Sequence, residues 1–260
     1  MSWWQGILLG LVQGLTEFLP ISSSGHLVVV EAVMGLQTPG VIVEVVLHVA
    51  TLLAVVIVYR NTLGKLAAGA LAGDRAAWRY ILLLALATVP AGLIGVTLQD
   101  WFESTFDSLA LVGVNFLVTG TVLWSTRGRV GHDERPTTAG AFGIGVAQAL
   151  AILPGISRSG ATVAAGMWLG VDAVRAAEFS FLLAIPAIGG AAILQIPDLS
   201  GDVMSIGAFP LAAGFLAALV SGVLAIRALI ALLRSQAFHR FAPYCWTIGV
   251  ITLLFATLGT

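Results

Sequence analysis

Two similar stretches of this sequence each interrupt apolar segments with proline, glycine and serine. The first is QGLTEFLPISSSGH at residues 13–26, and the second is QALAILPGISRSGA at residues 148–161. A polar break that recurs inside an apolar chain is typical of a binding site built from two related halves. The copies differ at charged positions, since Glu17 and His26 occur only in the first and Arg158 only in the second.

The composition places this chain in a membrane. Hydrophobic residues make up 58% and charged residues 10% of its 260 positions, which is more apolar than a soluble protein of this size accommodates. Several stretches have the length of a spanning helix, and no strictly alternating strands are present, so the predicted class is all-α polytopic. The formal net charge of −1 argues against a nucleic-acid partner.

The apolar stretches fall into two groups by length. Six are long enough to cross a bilayer, namely 41–59, 80–98, 108–124, 177–196, 206–233 and 242–258. Four are short or interrupted and flank the two motifs, namely 3–19, 27–36, 139–153 and 161–170.

The charges of the connecting regions predict how the short segments lie. Basic residues are concentrated at 60–79, 125–138 and 234–241, which should be cytoplasmic, whereas 99–107 and 197–205 contain only acids. Ten simple crossings agree with these charges as well as two re-entrant hairpins do. The shortness of two segments favours hairpins, because ten helical residues span only about 15 Å of a hydrocarbon core of about 30 Å.

The predicted fold is therefore a single membrane domain with about six transmembrane helices and two re-entrant helical hairpins. The hairpins enter from opposite faces as an inverted-topology repeat, and their tips meet near the bilayer midplane. Repeat one covers about 1–124, repeat two about 139–260, and 125–138 is a cytoplasmic linker.

Both polar breaks have features that suit phosphate binding. Each combines hydroxyls, glycine backbone and the N-terminus of a new helix, and Arg158 adds a permanently charged donor fork. Serines and glycines alone are equally consistent with close helix packing, but an intramembrane arginine is normally functional. The predicted substrate-binding residues are Ser22, Ser24, Gly25, Ser157, Ser159, Gly160 and Thr162.

Further polar residues are candidates for the chemistry. Gln13 and Glu17 lie four residues apart on one helical face, where the carboxylate is placed to ligate a divalent cation, position water or neutralise Arg158. His26 is a candidate nucleophile or general acid/base. Other intramembrane residues are predicted to support the site or to tie helices together, namely Glu44, His48, Glu178 and Asn115.

The motifs as a whole resemble a known family. The runs Gly14 to His26, Pro154 to Thr162 and Glu178 to Pro186 resemble the undecaprenyl pyrophosphate phosphatase family of the bacitracin-resistance type. That resemblance implies interdigitated inverted repeats, an outward-facing site in the cell membrane, and a divalent cation such as Mg2+ or Ca2+. It implies an enzyme that removes the terminal phosphate from a polyprenyl diphosphate lipid to regenerate the carrier for cell-wall polymers.

The resemblance also implies roles at matching positions. Glu17 matches the second acid of a glutamate-rich motif, Ser23 and His26 match the nucleophile and acid/base positions, and the phosphate-binding motif matches Ser157, Arg158, Ser159 and Thr162. Gln13 departs from the pattern because many members have glutamate there. Its amide oxygen can still ligate a metal but brings no charge.

Three expectations concern function and partners. The expected activity is undecaprenyl-diphosphate hydrolysis, with Glu17, His26, Ser23 and Arg158 as catalytic residues and Glu17 and Gln13 as metal ligands. The alternative is a polyprenyl-phosphate flippase or another inverted-repeat transporter. The expected partners are the lipid substrate, the surrounding membrane lipid and a second copy of the chain in a homodimer.

Overall fold

The fold consists of helices joined mostly by short connections. A computed structural model describes residues 1–35, 42–195 and 206–258, so the predicted acidic region at 197–205 lies outside the described residues. The helices are α1 (Trp3–Phe18), α2 (Ser23–Met34), α3 (Ile42–Leu71), α4 (Arg75–Thr97), α5 (Gln99–Phe106), α6 (Leu109–Trp124), α7 (Thr138–Leu150), α8 (Arg158–Trp168), α9 (Ala173–Leu194), α10 (Ala208–Arg234) and α11 (Ala242–Leu258), which follows a 3₁₀ turn at Phe238–Phe241.

The long helices confirm an all-α polytopic membrane protein. Within the described ranges, five helical segments have the length and hydropathy of a membrane span, namely α3, α4, α9, α10 and Phe238–Leu258. A sixth is obtained when α5 and α6 are taken as one bent pair. These segments correspond to the six long apolar stretches of the sequence.

The four short apolar stretches form two helical pairs. α1 packs against α2, and α7 packs against α8, with the polar breaks between them. The first helix of each pair also packs on a long helix from the other part of the chain, α1 on α10 and α7 on α4. The membrane face from which each pair enters, the repeat boundaries and the homodimer stay predictions.

Two regions expected to be loops are helical. α3 continues to Leu71, so much of the basic region at 60–79 is helix, and the backbone departs from helical geometry only at Tyr59 (φ −99°, ψ 16°). The acidic region at 99–107 contains α5, whose Phe102 side chain is buried. Hydropathy indicates where a chain leaves the lipid. A helix can continue past that point as long as its backbone hydrogen bonds persist and one apolar face packs against the protein.

The contact between α1 and α10 depends on glycine. Gly6, Gly10 and Gly14 recur every four residues along one face of α1, and a Cβ on any of them would overlap atoms of α10. The atoms opposite are the carbonyl oxygens of Pro210 and Gly214 and the hydroxyl of Ser221. Such small-residue faces allow close backbone approach between membrane helices, which stabilises the pair through van der Waals contact. This contact fixes α1, and with it Gln13 and Glu17, within the bundle.

Replacing Gly14 by leucine is expected to destabilise the protein by about 3 kcal/mol or more, because the side chain would collide with the α10 backbone. Thermal unfolding of the full chain in detergent measures this effect. The control is Gly64→Ala in α3, where no described atom outside the neighbouring backbone of the same helix lies within 4 Å of the added Cβ. It should leave stability unchanged or raise it by about 0.5–1 kcal/mol. Equal melting temperatures for Gly14→Leu and wild type would contradict the packing described.

Candidate active site

The pair α1–α2 forms one helical hairpin and the pair α7–α8 a second, and the polar breaks at their tips are in contact. A Cβ on Gly25 in the first hairpin would lie 2.9 Å from the Gly155 Cα in the second, so the two backbones are in direct contact. The Ser159 hydroxyl donates to the Leu19 carbonyl at 3.2 Å, and the Arg158 guanidinium donates to the Glu17 carboxylate. The polar breaks therefore form one shared site.

The second helix of each pair is capped in the same way. The Ser22 hydroxyl accepts from the Gly25 N–H at 3.3 Å, and the Ser157 hydroxyl accepts from the Gly160 N–H at 3.0 Å. These N-caps satisfy backbone donors that lipid cannot. Ser22 also adopts φ +68°, a strained conformation for a residue with a side chain, and such strain is concentrated at functional sites.

Helix α6 secures the second break from outside the hairpin. The Asn115 side-chain amide donates to the Pro154 carbonyl at 2.7 Å, as expected of a residue that ties helices together. The Thr119 hydroxyl donates to the Gly155 carbonyl at 2.8 Å and accepts from the Ser157 N–H at 3.1 Å. These bonds hold irregular backbone in place next to Arg158.

Glu17 is the centre of the polar network. Its side chain is only 6% exposed, and one carboxylate oxygen accepts from Arg158. The other oxygen accepts from the Ser23 hydroxyl at 2.5 Å and from the Gln13 amide at 3.2 Å. A buried carboxylate needs such compensation, because leaving it unpaired in a medium of low dielectric constant is costly.

Arg158 retains an unused donor. Its Nη2 binds Glu17, but its buried Nη1 has no hydrogen-bond partner among the described residues. A guanidinium has five N–H donors in a planar fork that matches phosphate oxygens. This arrangement allows Arg158 to hold Glu17 and a phosphoryl oxygen at the same time.

A cavity of about 570 Å³ opens beside these groups. Its polar end is lined by Glu17, Ser22, Ser23, Ser24, Ser157 and Arg158. Its apolar wall is formed by residues of α4, α5 and α9, including Gly92, Val96, Phe102, Ile188 and Leu194. The volume is typical of a small-molecule site, and the combination of a charged end with an apolar wall suits an amphiphile.

The remaining predicted site residues are not among those that line the cavity, namely Gln13, Gly25, His26, Ser159, Gly160 and Thr162. The Thr162 hydroxyl is 2.7 Å from the Arg158 carbonyl and 2.6 Å from the Ser180 hydroxyl. Gly25 and Gly160 supply the capped backbone amides. These residues support the hairpin tips.

His26 is held toward α6 and α11. Its Nδ1 donates to the Ser22 carbonyl at 2.7 Å, and its Nε2 lies 2.7 Å from the Tyr244 hydroxyl. The imidazole stacks on the Tyr244 ring and meets the Phe116 ring edge-on. Both ring nitrogens are therefore already engaged, Nδ1 by the Ser22 backbone and Nε2 by Tyr244, and His26 itself is not among the residues that line the cavity.

Another histidine faces Glu17. His48 of α3 lines the cavity, and its Nε2 lies 3.8 Å from a Glu17 carboxylate oxygen. Glu44, one turn earlier, also lines the cavity, whereas Glu178 pairs with Arg175 at the start of α9. His48 was predicted only as a supporting residue. The signal available was its spacing of four from Glu44 on an apolar helix.

Gln148 is a further polar residue at the cavity, and it was not predicted as a site residue. It occupies the position in the second motif that Gln13 occupies in the first. Its side chain is 3% exposed and lines the cavity, and neither amide atom has a hydrogen-bond partner within the described part of the chain. Its recurrence in both motifs was the signal available in the sequence.

The donor atoms around Glu17 fit a divalent cation that shares its ligands with a substrate. Gln13 Oε1 is a buried acceptor without a partner among the described residues, and it lies on the same side chain whose amide nitrogen binds Glu17. No group of three or more His, Cys, Asp or Glu side chains is arranged for a metal in the described ranges. Mg2+ sites commonly use one or two carboxylates and complete the shell with phosphate and water.

Comparison with known proteins identifies the family. The family described as bacitracin resistance protein BacA matches residues 6–251, a range that includes both polar breaks and the described residues that line the cavity. The chain belongs to the BacA family. One relative, the undecaprenyl-diphosphatase of Desulfosudis oleivorans, is 46% identical over 96% of this chain and 97% of its own length.

Two further relatives show how widely the similarity extends. The undecaprenyl-diphosphatase of Carboxydothermus hydrogenoformans is 39% identical over 100% of this chain and 99% of its own. The undecaprenyl-diphosphatase of Methanobrevibacter smithii is 39% identical over 96% of each chain. The similarity to these relatives therefore covers nearly the whole chain and not only the motifs.

Proposed function

We propose that this chain is an undecaprenyl-diphosphatase, which hydrolyses undecaprenyl diphosphate to undecaprenyl phosphate and inorganic phosphate. Membership of the BacA family and the names of its relatives support this activity. The observation that carries the proposal is the buried Glu17 carboxylate, which accepts from both Ser23 and Arg158 beside a cavity of mixed polarity. The Ser23 hydroxyl, the Glu17 base and the phosphate-binding guanidinium of Arg158 are thereby brought together.

The geometry favours Ser23 as the nucleophile. Its hydroxyl donates to the Glu17 carboxylate, which is the arrangement of an activated nucleophile and its base. In the proposed reaction, Ser23 Oγ attacks the terminal phosphorus and its proton passes to Glu17. The bond from that phosphorus to the bridging oxygen breaks, and undecaprenyl phosphate leaves. Water then hydrolyses the phosphoserine, which releases inorganic phosphate and restores the hydroxyl.

Other groups position the diphosphate. Arg158 offers its free Nη1 to a phosphoryl oxygen while Nη2 stays on Glu17. Glu17 and Gln13 would hold a Mg2+ or Ca2+ ion, which supplies neutralisation of the phosphoryl charge when bound. The preorganised charges act in a site of low dielectric constant, where they stabilise the transition state more than water does. The apolar wall on α4, α5 and α9 accommodates the first isoprenoid units, and the rest of the tail lies in the bilayer.

The proposed location is the plasma membrane, with the site open to the outer face. The concentration of basic residues at 60–79 and 125–138 supports this orientation, because such regions remain in the cytoplasm. Product lipid released at the outer face would be available for renewed use in cell-wall polymer synthesis.

Reconstitution separates this function from the carrier alternative. Purified protein in liposomes should release phosphate from undecaprenyl diphosphate and should lose this activity with a chelator. Empty liposomes and liposomes with the Arg158→Ala variant are the controls. The proposal is wrong if labelled polyprenyl phosphate moves between the leaflets while no phosphate is released from the diphosphate. That result would indicate a carrier and not a hydrolase.

A further inference from the structure

We propose that His48 is a direct ligand of the divalent cation, through Nε2 and together with Glu17. This inference deepens the proposed function and depends on the cation proposed there. It assigns the metal a nitrogen ligand from α3, in addition to the oxygen ligands of α1.

The tautomer of His48 follows from its hydrogen bond. Nδ1 lies 2.8 Å from the Glu44 carbonyl oxygen, and a carbonyl oxygen can only accept. Nδ1 must therefore carry the proton, and in the neutral ring Nε2 has a free lone pair. A ring N–H donated to a backbone carbonyl is the usual way in which proteins orient a histidine that ligates a metal.

The lone pair faces another electron donor. Nε2 is 3.8 Å from the Glu17 Oε2 atom, too far for a hydrogen bond. Metal–ligand bonds of about 2.0–2.6 Å let two atoms at this separation reach one ion. A cation between them would take the place of the Gln13 amide on Glu17 Oε2, because that amide makes the longer of the two hydrogen bonds to this oxygen, 3.2 Å against 2.5 Å from Ser23. The 30% exposure of the His48 side chain leaves this position accessible from the cavity.

A histidine ligand would compensate for the neutral Gln13, which stands where many family members have a glutamate. Two protein ligands on different helices, His48 and Glu17, fix the ion, and Gln13 Oε1 is available as a neutral third. Phosphate oxygens and water complete the shell. The carboxylate and water ligands that suit Mg2+ and Ca2+ also suit Mn2+, so Mn2+ can replace the cation as a spectroscopic probe.

Electron spin-echo spectroscopy of Mn2+ bound to the full-length protein in detergent tests the proposal, because an imidazole bound to the ion produces strong ¹⁴N modulation. Wild type should show this modulation. His48→Leu should lose it and should bind Mn2+ about tenfold or more weakly, since even loss of a supporting residue weakens metal sites by that much.

Two further variants make the result unambiguous. His48→Gln keeps an oxygen ligand, so it should retain most Mn2+ affinity but lose the nitrogen modulation. His132→Asn removes an exposed histidine of the 125–138 region and should match wild type in both respects. Nitrogen modulation that survives in His48→Gln, or wild-type Mn2+ binding without any modulation, would overturn the proposal. Either result would leave the proposed hydrolase activity standing, because that activity is tested separately by phosphate release.

Discussion

Replacing Arg158 by alanine is expected to lower kcat/KM for phosphate release by about a thousandfold or more. Removal of one preorganised charge from a phosphoryl-transfer site has effects of this size. The same change leaves the buried Glu17 carboxylate without its cationic partner. Initial rates with undecaprenyl diphosphate in detergent measure the loss.

Matched variants separate chemistry from folding. Arg158→Lys keeps the charge but not the planar fork, so it should recover part of the lost activity. Arg175→Ala removes the arginine of the Arg175–Glu178 pair outside the cavity and should retain wild-type rates. If Arg158→Ala turned over substrate at close to the wild-type rate, Arg158 would have no role in binding or cleaving the diphosphate.

Replacing Glu17 by glutamine is expected to lower kcat by about a thousandfold. The substitution keeps the shape of the side chain but removes its charge and its capacity to accept the Ser23 proton. It also leaves Arg158 without a carboxylate partner, so the stability of the variant is measured alongside its rate. Glu178→Gln is the matched control, because Glu178 lies outside the cavity lining, and its kcat should equal that of wild type.

The double variant provides an independent check on the pair. Because Arg158 and Glu17 act as one unit, Glu17→Gln combined with Arg158→Ala should be little slower than either single variant. Fully additive losses would indicate that the two residues act separately, in contradiction to their contact at the hairpin tips.

Much of the fold was predictable because bilayer physics restricts the choices. The six long apolar stretches and the four short ones correspond to the helices of the structure. α5 was not predicted, because its eight residues include acids that hydropathy assigns to a loop. The extension of α3 past Tyr59 was missed for a related reason, since charge marks the edge of lipid and not the end of a helix.

The residues of the site were largely predictable, but the directions in which the two histidine side chains face were not. The motifs identified Glu17, Ser23 and Arg158, which the structure brings together. Sequence spacing did not reveal that His26 binds Tyr244, 218 residues away, or that His48 faces Glu17. Which side of a helix faces a cavity depends on packing between distant segments, and here glycine contacts such as those of α1 with α10 set that packing.

The most direct test of this account is the reaction of purified protein with undecaprenyl diphosphate, with both products measured at once. Inorganic phosphate and undecaprenyl monophosphate should form in equal amounts and depend on an added divalent cation. Neither product should form above background with Arg158→Ala. Absence of phosphate release from well-folded wild-type protein supplied with cation, or equal release by the Arg158→Ala variant, would contradict the account.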